Sequence, residues 1–144
     1  MPFQLMKLAD KENINIDYWD FAPPLEAVYW TLPDGKAFIG LSKELLSRPP
    51  HFRCVLAEEL GHHFTTAGDK LPATFYHYSG RLEVNKAEYR AVRWAAEYLM
   101  PARELRKAIR KGLKAVWELA GYFNVTEHMV MFRLGLPDVD RMRI

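Results

Sequence analysis

Apolar and polar positions divide the chain into short, well-punctuated elements. Phe3, Leu5, Met6 and Leu8 supply the apolar content of a helix over Met1 to Glu12. Ile14 and Ile16 then alternate with polar neighbours, which predicts a half-buried strand over Asn13 to Asp17. Leu25 to Leu32 and Lys36 to Leu41 are rich in β-branched and aromatic residues, and Pro33-Asp34-Gly35 between them is a turn signal, so the pair predicts a hairpin. Pro49-Pro50 can open a helix, expected over His51 to Thr65. Thr66 to Arg81 has no helical period and contains Gly68, Pro72 and Gly80, which predicts a loop with one extended piece through Phe75, Tyr76, His77 and Tyr78. A long helix is expected from Leu82 to Leu99, closed near Pro101. Ala102 to Arg133 reads as two or three short helices, broken near Gly112 and at Gly121 to Thr126, with Thr126 as an N-cap and Gly135 as a stop. No repeat or linker interrupts the pattern. The expectation is one α+β domain over residues 1–144, with a small N-terminal sheet and a helical remainder.

Composition narrows the class. Apolar residues make up 49% of the 144 and charged residues 26%, an ordinary globular balance that sets aside disorder. The net charge of +2 is too small to argue for nucleic acid. Its distribution is uneven, with Arg103, Arg106, Lys107, Arg110, Lys111 and Lys114 set against Glu104 alone between Pro101 and Lys114, a pattern that fits a solvated helix face. Cys54 is the only cysteine, which rules out an intrachain disulfide and fits a reducing compartment; within an apolar helix it reads as a buried, inert thiol. Met1 to Asp10 lacks a signal peptide's apolar stretch, and no run approaches the roughly 18 apolar residues of a membrane span. A cytoplasmic protein is expected.

The candidate chemistry lies in Cys54-Val55-Leu56-Ala57-Glu58-Glu59-Leu60-Gly61-His62-His63-Phe64. On a helix Glu58 and His62 stand about 40° apart and one turn up the same face, so two ligand atoms can converge on one ion. Glu59 lies beside that pair, placed to touch a water on the ion without binding the ion itself. This is the arrangement that makes H-E-x-x-H a metalloprotease signature, here with Glu58 in the first position. Alone, E-E-x-x-H also describes a solvated acidic patch. The next helix adds a second observation: Val84, Glu88, Ala91, Val92, Ala95 and Leu99 fall on one stripe, apolar except for Glu88. A carboxylate there needs a partner, either a metal or an arginine such as Arg81 or Arg90. Two carboxylates, an imidazole and a base are what a catalytic zinc site needs, with a position left for water. His63 points about 100° away from His62 and suits packing, or support of a ligand from behind. His77 reads as structural or as a group that polarises a scissile carbonyl. His51 and His128 have no supporting pattern, and Trp94 and Trp117 are expected in the core.

These residues resemble the ImmA/IrrE metallopeptidases of bacteria, phages and mobile elements. In that family the H-E-x-x-H helix is followed by one of the form E-x-x-A-x-x-(aromatic)-A-A-x-x-L-M-P, and the chain reads E-Y-R-A-V-R-W-A-A-E-Y-L-M-P from Glu88 to Pro101. Trp117 to Thr126 looks like the family's helical segment after the site, and the likeness covers about residues 25–135. The resemblance implies a zincin-like single domain with an active-site helix. It implies metal ligands at His62 and Glu88, a catalytic Glu59, and Glu58 in the place of the first histidine, a variant the family also shows as A-E-E-L-G-H. It further implies zinc as cofactor, with manganese or another divalent ion as the alternative, and cleavage of a repressor protein as the activity.

Two other readings compete with a peptidase. Leu119 to Leu134 can be read as helix-turn-helix of a DNA-binding regulator, with the basic Arg103 to Lys114 segment on phosphates and Arg133 as the only base-reading cation of the second helix. Nucleic acid is not the favoured partner, because the rest of that helix offers Glu127, His128, Met129 and Met131. The third reading is a metal-binding module that captures a repressor without cutting it.

Overall fold

A computed structural model describes residues 3–66, 74–78 and 86–142, apart from the side chains of residue 66 and of 74–78. Helix α1 (Phe3–Lys11) leads into strand β1 (Ile14–Trp19), and β2 (Ala27–Thr31) and β3 (Ala37–Ser42) form the expected hairpin. The hairpin turn is held where Lys36 N–H donates to Asp34 Oδ1 at 3.0 Å and Gly35 takes φ +91°, a conformation that favours glycine. A 3-10 turn (Lys43–Ser47) precedes helix α2 (Pro49–Thr66), which begins at the proline pair. Strand β4 (Thr74–Tyr78) is the extended piece predicted inside the loop; the remainder of that loop and Leu82 to Asn85 of the following helix lie outside the described residues.

The sheet runs β1-β3-β2-β4. Its central hairpin is antiparallel, β4 pairs antiparallel with β2, and β1 pairs parallel with β3 in a register that sets Ile14 beside Ala37 and Ile16 beside Ile39. The alternation turns Ala27, Tyr29, Ala37, Ile39 and Leu41 into one buried face, and α2 crosses it. Helix α3 (Lys86–Leu99) packs against the other side of α2. Because α2 is covered by sheet and helices together, residues 54–62 are buried without a break. That run is apolar except for Glu58, Glu59 and His62, which a fold would not place there for its own stability.

The C-terminal third forms α4 (Ala102–Arg110), α5 (Val116–Phe123) and α6 (Glu127–Leu134), then a 3-10 turn (Pro137–Arg141). Gly112, with φ +95°, ends the first as expected. Helix α5 runs through Gly121, and the chain turns at Asn124, within the break expected at Gly121 to Thr126, in the left-handed conformation at φ 55°. Arg53 of α2 steadies this turn by donating to the Asn124 carbonyl at 3.0 Å. The Thr126 hydroxyl caps α6 by accepting from Met129 N–H at 3.1 Å. Trp117 corrects an expectation. It is 69% exposed, because α5 buries Leu119, Ala120 and Phe123 and turns its other side outward. Trp94 is half-buried, stacked between Phe64 and Tyr98. Among the described residues no helix is long and apolar enough to cross a membrane.

Candidate active site

Glu58, Glu59 and His62 occupy the buried middle of α2, and Glu88 stands in the first turn of α3, where aligned peptide dipoles favour a negative charge. The two helices touch through Gly61, whose missing side chain lets the backbone of Ala91 come against it. Glu88 lies one turn before Ala91, and its Oε2 reaches His62 Nε2 at 3.3 Å. The carboxylate on the apolar stripe thus meets the motif imidazole, while Arg90 faces solvent and Arg81 lies outside the described residues.

The carboxylates of α2 are in a different condition. Glu59 is 0% exposed and Glu58 is 8% exposed. Glu58 Oε2 and both oxygens of Glu59 have no hydrogen-bond partner among the described residues. Burial pushes the Glu58 carboxyl well above the usual carboxylate range, and repulsion from Glu88 and Glu26 adds to the shift. Burial does the same to Glu59, reinforced by Glu58 and Glu88. Three carboxylates thus repel one another near one imidazole, two of them buried away from screening solvent. A divalent cation is the group that would answer both the charge and the orphaned oxygens, and carboxylates with an imidazole are a donor set such ions accept. No three His, Cys, Asp or Glu side chains among the described residues already stand at metal-holding spacing; of the expected ligands, His62 and Glu88 are in contact.

A second layer of polar contacts lies beside these groups, and of its members the sequence pointed only to His63. His63 Nε2 donates to Glu12 Oε1 at 3.2 Å, just past the end of α1. In a neutral ring this leaves Nδ1 to accept from the Tyr29 hydroxyl at 2.9 Å. Tyr29 projects from β2 with its ring nearly parallel to that of His62, 6.5 Å between centroids. His63 therefore has the packing role expected of it, tying α1 and β2 to the end of α2. The inward position of Tyr29 on an alternating strand was the available clue. His51, for which no role was legible, meets Glu26 Oε2 at 2.7 Å. His128 is exposed, and His77 lies in β4 in register with Val28, its side chain outside the described residues.

The helix-turn-helix reading fails at its one base-reading cation. Arg133 is 1% exposed, donates to the Met100 carbonyl at 2.8 Å and forms a two-pronged pair with Asp138 at 2.8 Å, so it is not available to a base edge. The exposed positions of α6 are Glu127, His128 and Met131.

No curated protein matched the chain in a sequence comparison. The pattern of the IrrE N-terminal-like domain, peptidase family M78, matches residues 9–135, a span that holds the whole sheet and every residue of the buried polar cluster. The chain therefore belongs to this family, the ImmA/IrrE metallopeptidases, and has its α+β, zincin-like fold.

Proposed function

We propose that the chain is a metal-dependent endopeptidase that cuts a repressor-type protein, with Glu59 as its general base. The observation that carries this reading is Glu59 itself, a fully buried carboxylate with both oxygens unpartnered among the described residues, adjacent in sequence to Glu58 and one turn from His62. Glu58, His62 and Glu88 would hold a divalent ion, zinc first and manganese as the alternative. Bound there, the ion supplies a Lewis acid that polarises a peptide carbonyl and acidifies water. Glu59 accepts a proton from the water whose oxygen bonds to the carbonyl carbon, and returns it to the amide nitrogen as the C–N bond breaks. Tyr29, held by His63, fixes the space beside the His62 ring. The repressor as substrate class rests on the family resemblance.

The test joins metal content to cleavage. Freshly purified protein should carry close to one divalent ion per chain, and chelation should remove both metal and activity. Glu59→Gln keeps the side-chain shape and cannot take the proton at neutral pH. It should retain the metal and lose cleavage of a repressor encoded beside the gene. Full activity in that variant rules out Glu59 as the base. Metal without cleavage in the unmodified protein favours capture of the repressor over hydrolysis.

A further inference from the structure

Three features of the C-terminal third work against its own stability, and they adjoin one another. The first is the outer face of α4. Arg103, Arg106 and Arg110 fall within an arc of about 60°, spread over about 10 Å of helix, with Lys107 beside them. All four are exposed, whereas Leu105 and Ala108 bury the opposite side. Like charges at these spacings disfavour a helix by a few tenths of a kcal/mol per pair. Glu104, at 3.7 Å from Lys107, is the one acid interspersed among them. The second is Trp117, exposed on α5 together with Tyr122.

The third is Gly121. It lies inside α5, one turn after Trp117, and has no need of glycine's conformational freedom. A β-carbon added there would meet nothing within 4 Å among the described residues. Glycine at an exposed helix interior destabilises the helix relative to alanine, and nothing among the described residues calls for it. The features join at Lys111, whose Nζ lies 3.5 Å from the Tyr122 hydroxyl and 5.4 Å from its ring centre. Lys111, next in sequence to Arg110, therefore links the end of the guanidinium row to Tyr122 on α5, where Gly121 leaves a notch beside Trp117. Local costs of this kind collect where a sequence serves something other than its own fold.

We propose that this α4–α5 face docks an acidic segment of a protein partner, with carboxylates on Arg103, Arg106 and Arg110 and an apolar side chain seated over Gly121 between Trp117 and Tyr122. Charge complementarity sets the acidic character of the partner. The mixture of Arg, Trp and Tyr is the composition of protein-binding hot spots, and the notch admits a close approach of backbone that any side chain at position 121 would block. Duplex DNA suits the surface less well. The exposed residues of α6 are Glu127, His128 and Met131, with no lysine or arginine among them, and Arg133 is buried.

The test uses the full chain and a labelled synthetic helical peptide with glutamates at i, i+3 and i+7 followed by a Leu-Phe anchor, with binding followed by anisotropy and by Trp117 fluorescence. The peptide should bind, and the same peptide with glutamine in place of glutamate should not. R103Q/R106Q/R110Q and Trp117→Ala should each weaken binding about tenfold or more. Gly121→Gln is the decisive variant. It should raise the melting temperature, because it improves helix propensity, while weakening the peptide about tenfold. Unchanged binding in Gly121→Gln overturns the notch, and no binding to the unmodified chain overturns the proposal. Tighter binding of a DNA duplex, or of phosphatidylserine-containing vesicles, than of the peptide would replace the protein partner with that class and equally overturn it. None of these outcomes depends on metal or cleavage, so the peptidase reading stands or falls separately.

Discussion

Gly61 and Ala91 bring two helices into backbone contact, and a β-carbon built on Gly61 would overlap the Ala91 carbonyl oxygen and lie 2.9 Å from the Ala91 Cα. Both partners are backbone at the crossing, so neither can rotate away. Gly61→Ala should therefore force α2 and α3 apart, costing about 1–3 kcal/mol as overpacking does. The same displacement carries Glu88 away from His62. Urea denaturation should show the loss of stability, and metal titration should show weakened binding. A variant of ordinary stability and metal affinity would mean that the crossing does not set the site.

Glu58→His should raise zinc affinity and sharpen the preference for zinc over manganese. The change removes one negative charge from a cluster where Glu58, Glu59 and Glu88 repel one another. It also restores an i, i+4 histidine pair, and imidazole favours zinc where carboxylates tolerate harder ions. Competition with a chelator gives the affinity of both proteins. A variant that binds zinc no better would leave Glu58 outside the ligand set.

Asp138→Asn should destabilise the C-terminal helices, because it removes the charge and one of the two acceptor oxygens that pair with a buried guanidinium. Asp138 is itself partly solvated, so the expected cost is about 1–2 kcal/mol, below that of a fully buried pair. The hydrogen bond from Arg133 holds the Asp138 carboxyl below its ordinary range. Its contribution is therefore complete above the unfolded carboxylate's pKa of about 4 and fades as pH falls through the lowered folded value. Thermal melts across that range should show wild type and variant converging in acid. A gap that persists in acid would mean that charge is not the basis of the pair.

Cys54 should resist thiol reagents in the folded protein near neutral pH. Burial pushes its thiol up, and Sγ lies 3.5 Å from the Thr126 amide nitrogen, inside the packed junction of α2 with the α5–α6 turn. Labelling should proceed only as fast as the protein opens and become immediate in denaturant. Rapid labelling of the native chain would show that this junction opens readily.

Much of the local structure was legible because it depends on neighbours a few positions apart. Turn chemistry at Pro33-Asp34-Gly35 predicted the hairpin, the proline pair predicted where α2 begins, and Thr126 was readable as a cap. Helical period likewise placed Glu58 and His62 on one face and Glu88 on a stripe that faces inward. The period did not say which side of a helix the core would take, and Trp117 went to solvent because α5 packs through Leu119, Ala120 and Phe123. The break expected at Gly121 to Thr126 falls within that span, at Asn124, since a glycine can end a helix or sit within one. Tyr29 reaches His63 across 34 positions of sequence, through a strand face and a helix end that neither segment specifies alone. The contact of His62 with Glu88 is of the same kind. Side-chain type and spacing made each residue a candidate, but whether they meet depends on how closely two backbones approach at Gly61, and only the packed chain sets that distance.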